Sequence, residues 1–181
     1  MLLQFAKDAE AHAESRNYVK ALEAVEEILK IAPNDEKTLL FKVQILLMLG
    51  KLRDADKTIN LVVKLYPGNC YAHLTKAIVT ALYTTNIPEA ISHVDRGLEI
   101  NPGCFELIIA KAQMLYWIQE PSYNLWIQQA SRIDSVRTDN FLKKYWIEKP
   151  PTPLAHITAQ INGLIQNLMF VISQQQYGGW K

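Results

Sequence analysis

The stretch LEINPGC at residues 98–104 ends an apolar, helix-spaced run at a proline, and nearly the same phrase occurs twice before it, as LKIAPND at 29–35 and VKLYPGN at 63–69. Pro33, Pro67 and Pro102 are spaced by 34 and 35 residues, and twelve positions before each stands an alanine: Ala21, Ala55 and Ala90. Fixed periods of this size mark stacked supersecondary units. A second marker keeps the same intervals, in the pairs Lys42-Val43, Lys76-Ala77 and Lys111-Ala112.

Each unit reads as two helices. In the second unit, residues 37–49 form a dense apolar run closed by Gly50, which suits the left-handed position after a helix. Residues 53–65 then carry Ala55, Ile59, Val62, Val63 and Leu65 at helical spacing. Asp35 and Asn69 stand where the next helix needs an N-cap acceptor. The small residue twelve before each proline has a packing reason: two antiparallel helices cross closely only where no large side chain holds them apart. The proline ends the second helix, since it lacks the N–H and its ring clashes one turn back.

The chain has 181 residues, of which 49% are apolar, enough to bury a core without disulfides or a metal. Its net charge of +1 carries no electrostatic footprint for a phosphate backbone or an acidic membrane surface, so nucleic acid is not the expected ligand. The two cysteines, Cys70 and Cys104, are too few for a secreted framework and read as reduced thiols, which points to the cytoplasm. The amino terminus has no signal-peptide pattern, and no eighteen consecutive apolar residues occur, so no membrane span is predicted.

The register of alanines and prolines resembles that of the tetratricopeptide repeat family, whose units are helix-turn-helix pairs of about 34 residues. The family's signature places are taken by Phe5, Asp8-Ala9, His12, Ala21, Val25 and Pro33 in residues 2–35. Residues 36–69 offer Leu39, Lys42-Val43, Leu46, Ala55, Ile59 and Pro67. Residues 70–104 offer His73, Lys76-Ala77, Thr80, Ala90, Val94 and Pro102, with one extra residue assigned to the turn LYTTNIPEA. A weaker fourth copy spans 105–136, keeping Ile108, Lys111-Ala112, Leu115, Ala130 and Ile133 but placing Tyr123 near the crossing position. The resemblance implies an all-α, right-handed α-solenoid of about four helix-turn-helix repeats. The array is assigned to residues 1–136 and C-terminal helices to 137–181.

In that last segment a short helix is expected at 138–147, followed by an extended break at EKPPTP. Beyond it, Leu154, Ile157, Ile161, Leu164, Leu168 and Val171 recur at helical steps, joined by Ile165, Met169 and Ile172. This is a long amphipathic helix whose apolar face needs a cover, with a frayed tail from about residue 175. Three placements stand open: a cap on the last repeat, a stand-in ligand in the groove, or a pairing with its copy in a homodimer.

Chemistry is poorly represented. No Gly-rich phosphate loop, nucleophile elbow or His-x-x-x-His pair occurs, so no enzyme activity is expected. Cys70, His73 and Cys104 are the best metal candidates, but they are three where a structural zinc site takes four, so neither metal nor cofactor is expected. The four histidines, His12, His73, His93 and His156, fall at different repeat positions. Lys42, Lys76 and Lys111 form a ladder that reads either as an acidic-peptide site or as solvated lysines over apolar neighbours.

In the family the first helix of every repeat lines a concave groove that binds a peptide or a helix. Carried over by register, the groove is Ala6, Glu10 and Ala13, then Lys37, Leu40, Gln44, Leu47 and Met48. Tyr71, Leu74, Ile78 and Ala81 follow, and last Glu106, Ile109, Gln113, Tyr116 and Trp117. The positions with which one branch clamps chaperone carboxylates carry Ala6, Glu10, Phe41, Tyr71 and Thr75, none of which can play that part. The partner-binding set is therefore Leu40, Gln44, Leu47, Tyr71, Leu74, Ile78, Ile109, Gln113, Tyr116 and Trp117, and an apolar groove suits an amphipathic helix. The function implied is a non-enzymatic interaction scaffold or adaptor. The alternatives are a chaperone that escorts a segment of a secreted or assembling subunit, or a regulatory domain of a larger protein.

Overall fold

The computed structural model describes residues 2–145, which are all-α, with helices joined by short turns. The expected amphipathic helix at 154–172, its preceding proline break, His156 and the tail lie outside the described residues. Helices pair in chain order. α1 (Leu2–Glu14) pairs with α2 (Tyr18–Ile31), α3 (Glu36–Met48) with α4 (Leu52–Leu65), α5 (Cys70–Tyr83) with α6 (Ile87–Ile100), and α7 (Phe105–Trp117) with α8 (Tyr123–Ile133). A ninth helix, α9 (Ser135–Tyr145), follows and packs on α8, starting three residues before the expected 138. The helix-turn-helix repeat read from the prolines is the observed architecture. The chain divides into two compact units, one ending at Pro67 and one beginning at Gly68, so α1–α4 and α5–α9 are described separately.

The proline phrases end their helices one residue earlier than a simple ring clash requires. Ala32, Tyr66 and Asn101, each preceding a proline, have φ of −129°, −128° and −136°, outside the helical region. The pyrrolidine ring disfavours helical backbone at the residue before it, so that residue turns extended while its own N–H still closes the last helical bond. Those bonds run to Ile28, Val62 and Gly97 at 2.9, 2.8 and 2.9 Å. The next helix then starts on a side-chain cap where one was expected. Asp35 accepts from the Thr38 N–H at 2.9 Å and Asn69 from the Tyr71 and Ala72 N–H groups at 2.8 and 3.1 Å.

Turns inside the hairpins share a left-handed residue. Gly50 has φ 69°, as its type predicts. Arg16, Thr85 and Gln119 hold the equivalent place at φ 59°, 55° and 58°, which no sequence signal announced. The backbone closes the helix there by paired reverse bonds: Gly50 N–H to Leu47 O, with Lys51 N–H to Leu46 O, and the same pair at Gln119 and Glu120. The extra residue of the third repeat lies in helix α5, which has 14 residues against 13 in α3, and not in the turn. Thr84–Asn86 and Leu49–Lys51 are turns of equal length.

The crossing alanines do what their size permits. Ala21, Ala55 and Ala90 are fully buried, as are the small or branched residues of the first helices, Ala9, Val43, Ala77 and Ala112. In the first unit Ala9, Ala21, Val25 and Ile45 form one cluster; in the second, Phe105, Ile108, Ile109, Ala130 and Phe141 form another. Gly97 of α6 is closer packed still. A Cβ there would stand 2.8 and 2.9 Å from the Leu107 methyls and 3.2 Å from the Cys70 carbonyl oxygen.

Candidate functional site

First helices carry side chains in three registers about 100° apart per residue step. In α3, Leu39, Val43 and Leu46 occupy the signature register of the repeat, and Ile45, with Phe41 and Leu49 beside it, joins the cluster built on α1 and α2. The third register holds Leu40, Gln44 and Leu47, the positions that the family resemblance assigns to a groove. All three are buried. In the second unit the same register places Leu74 and Ile78 on α5 and Ile109 and Gln113 on α7, again all buried, whereas Tyr71, Tyr116 and Trp117 are half-buried. Lys37 is exposed and Met48, Ala81 and Glu106 are half-buried; on α1, Ala6, Glu10 and Ala13 are likewise half-buried.

The register is polar at its centre in two of its copies. Gln44 and Gln113 stand at equivalent positions, 4% and 1% exposed, and among the described residues Gln44 Nε2 and both amide atoms of Gln113 have no hydrogen-bond partner. The Trp117 indole N–H also lacks one there. Buried amides are costly when left unbonded, so this face is built to meet polar as well as apolar groups.

At the C-terminal end of α7 the two adjacent aromatics part company. The Tyr116 ring meets Tyr123 of α8 edge-on, with centroids 5.1 Å apart. Tyr123, which stands near the crossing position of the family pattern, braces Tyr116, and Ala130 is buried in the cluster with Phe105, Ile108, Ile109 and Phe141. At the opposite end, Glu106 is paired with Arg137 of α9, whose guanidinium also lies 4.3 Å over the Phe105 ring. This charged bracket between α7 and α9 escaped the sequence reading, since nothing in the pattern aligned residue 137 with residue 106.

The lysine ladder faces elsewhere. Lys42 pairs with Glu26 of α2 at 2.7 Å, and Lys111 pairs with Asp95 of α6 at 2.5 Å while lying 4.0 Å from the Trp126 ring centre. Both ladder lysines thus reach back to the second helix of the preceding hairpin and tie repeats together. Lys76 is buried, and it helps hold the His93 imidazole below its ordinary value, behind burial, the larger cause. Lys42 and Lys111 thus each have a carboxylate partner on the preceding helix.

Cys70 opens α5 and Cys104 caps α7, and both thiols are free and buried. Burial pushes the Cys70 thiol up against hydrogen bonds from Cys104 and Asn101, and pushes Cys104 up to about 12. Neutral thiols of this kind are poor nucleophiles and poor metal ligands. Among the described residues no group of three His, Cys, Asp or Glu side chains is arranged to hold a metal ion, His73 with the two cysteines included. No helix among them is long and apolar enough to cross a membrane.

Residues 6–78 match the family model described as tetratricopeptide repeat. Comparison with curated proteins finds no match. Among solved structures, the fold is similar to a crystal structure of MamA protein at TM-score 0.64 and 13% identity, over 99% of this chain and 96% of that one. It is similar to YrrB, described as a TPR protein with an unusual peptide-binding site, at TM-score 0.63 and 15% identity over 79% of this chain and 75% of that one. A mutant O-GlcNAc transferase from Thermobaculum terrenum matches at TM-score 0.65 and 16% identity over 72% of this chain, which spans only 26% of the transferase chain. At these identities the likeness is one of fold.

Proposed function

We propose that this tetratricopeptide repeat chain is a non-enzymatic scaffold that holds a peptide or amphipathic helix of a protein partner in the groove register of its first helices. The observation that carries the reading is the composition of that register. In one unit Leu40 and Leu47 flank Gln44, and in the other Ile109 flanks Gln113, so each unit has an apolar register with an amide at its centre, all of these residues buried. Helical ligands are read by such registers at the spacing of their own anchors. Tyr116 and Trp117, half-buried at the C-terminal end of α7, are the anchors a partner would reach first, since aromatic side chains dominate interface energies. The unusual peptide-binding site of YrrB supports the same use of the fold.

Raised thiol pKa values support a role without catalysis, and two unpaired cysteines support the cytoplasm as its place. The partner is protein, since the near-neutral chain offers no field for nucleic acid.

The test is quantitative co-purification from the native source with the wild type and the substitutions Tyr116→Asp, Trp117→Asp and Leu125→Asp. Leu125 lies on the surface of α8 at 64% exposure and serves as the control. Partners lost with both α7 variants and kept with Leu125→Asp support the groove register. A set unchanged by either α7 variant overturns it.

A further inference from the structure

We infer that Cys70 and Cys104 are an oxidisable pair, which peroxide converts into a disulfide that staples the start of α5 to the start of α7. This modification site lies wholly within the second unit and does not rest on the scaffold reading.

Cys70 is the first residue of α5 and Cys104 the N-cap residue of α7, one repeat period apart. What draws them together is Gly97, in the last turn of α6. A Cβ there would stand 3.2 Å from the Cys70 carbonyl oxygen and 2.8 Å from a Leu107 methyl, so its absence lets the starts of α5 and α7 close on one turn of α6. Asn101, one turn further on, fastens both cysteines. Its carbonyl accepts the Cys104 N–H at 3.1 Å, and its side chain is hydrogen-bonded with the Cys70 thiol. The Cys70 thiol is also hydrogen-bonded with that of Cys104.

Both residues are buried, at 9% and 4% exposure, so each sulfur is offered the other before any thiol from outside. A disulfide brings two sulfurs to about 2.05 Å. From thiols already in contact, that distance is reached by side-chain rotation and a small shift of two helix starts, whose first N–H groups have no intrahelical bonds to break.

Hydrogen peroxide, small enough to reach a buried sulfur, balances the step. Cys70, the more exposed of the two, releases its proton to solvent, and its sulfur attacks one peroxide oxygen. The O–O bond breaks, hydroxide leaves to become water with a proton from solvent, and Cys70 is left as a sulfenic acid. The Cys104 sulfur then attacks the Cys70 sulfur and expels a second hydroxide. The Cys104 thiol already donates to Glu106 Oε2, 3.4 Å from its sulfur, and its proton passes by that carboxylate to the departing hydroxide, which leaves as water. The two sulfurs have given up two electrons and the peroxide has taken them. Burial raises both thiols, Cys104 to about 12, so few thiolates form at neutral pH and the pair closes only under sustained peroxide. Once made, the bond encloses α5 and α6 in one covalent loop and restricts the unfolded chain.

The experiment uses the purified, fully reduced full chain, exposed to hydrogen peroxide, then denatured and alkylated with iodoacetamide for intact-mass and peptide analysis. The expected product is a monomer lighter by two hydrogens, which takes up no iodoacetamide and yields a fragment joining the Cys70 and Cys104 peptides until dithiothreitol separates them. Its rate of formation should rise about ten-fold per pH unit, as for thiols titrating well above the working pH. Urea should unfold the oxidised chain at a higher midpoint than the reduced one. In Cys104→Ser, Cys70 should run on to the sulfinic acid, since nothing intercepts the sulfenic acid. Sulfinic or sulfonic acid as the main wild-type product, a link between two chains, or thiols that still alkylate after prolonged peroxide overturn the inference. A lower urea midpoint for the oxidised chain overturns the staple as well.

Discussion

The first and second helices of these hairpins are nearly equal in length yet bury themselves differently. In α4 only Ala55, Ile59 and Val62 are buried, and in α6 only Ala90, Val94 and Gly97, one stripe along one side. In α5 burial runs without a break from Ala72 to Thr80, and α3 is buried from Val43 to Leu47. In the last three hairpins the second helix, the outer layer, has one packed face, while the first, α3, α5 or α7, the inner layer, is packed nearly all round; α1, with only Ala9 buried, is the exception. This contrast locates where interaction energy can be stored: a helix that its own hairpin cannot cover must find cover elsewhere, and that requirement is what a binding register is made of.

Core truncation gives the largest contrast. Ile108→Ala, in the fully buried inner layer of the second unit, should cost about 2–5 kcal/mol. Leu61→Ala, on the half-exposed outer side of α4, should cost less than about 1 kcal/mol. Chemical denaturation followed by circular dichroism reads both, and equal costs would erase the layer distinction. Next comes Gly97→Ala, which sets a methyl against Leu107 and the Cys70 carbonyl and should cost about 1–3 kcal/mol through overpacking. A neutral result would mean that α6 and α7 can move apart to admit the methyl.

A smaller effect separates the layers by pH. His93 of α6 is held below its ordinary value of 6.5 first by burial and then by Lys76 and Arg96, against a weaker opposite pull from Glu89. The folded state then binds the proton less well than the unfolded chain, so the stability is intact above about 6.5 and falls as the pH drops through that value. Thermal midpoints measured between pH 7.5 and 5.5 should decline for the wild type and decline less for His93→Gln. Parallel curves for the two proteins would remove His93 as the cause.

Smallest are the hairpin turns, which both layers share. Thr85→Gly and Gln119→Gly should each stabilise by about 0.5–1 kcal/mol, because a left-handed backbone strains a residue with a Cβ, and Gly50→Ala should destabilise by about the same amount. Midpoints that move the other way would show that side-chain contacts, not backbone strain, set these turns.

How much of this was legible in the sequence follows from the same layering. The outer helices announced themselves because a single buried stripe leaves a period, and the Ala-Pro register marked both crossing and stop. Inner helices carry apolar residues all round, so their boundaries came from caps and glycines while their faces had to be assigned by register with the family. The groove set rested on that register alone, and Tyr116 and Trp117 could not be told apart until Tyr123 was seen to brace one of them. The lysine ladder was visible as a repeat, but its ion pairs with Glu26 and Asp95 depend on how successive hairpins pack, which no spacing within one helix encodes. Likewise the additional residue near 83 shifts the register equally whether it lengthens a helix or a turn, and only the backbone distinguishes the two.

The most direct test of the claim that the groove register is where this chain meets its partner is photo-cross-linking in living cells, with p-benzoylphenylalanine at Trp117 and, separately, at Leu125. A protein adduct is predicted at position 117, mapping to an amphipathic helix of the captured chain, with none of that species at position 125. The same adduct at 125 and not at 117 would contradict the claim, and would move the interaction to the outer layer.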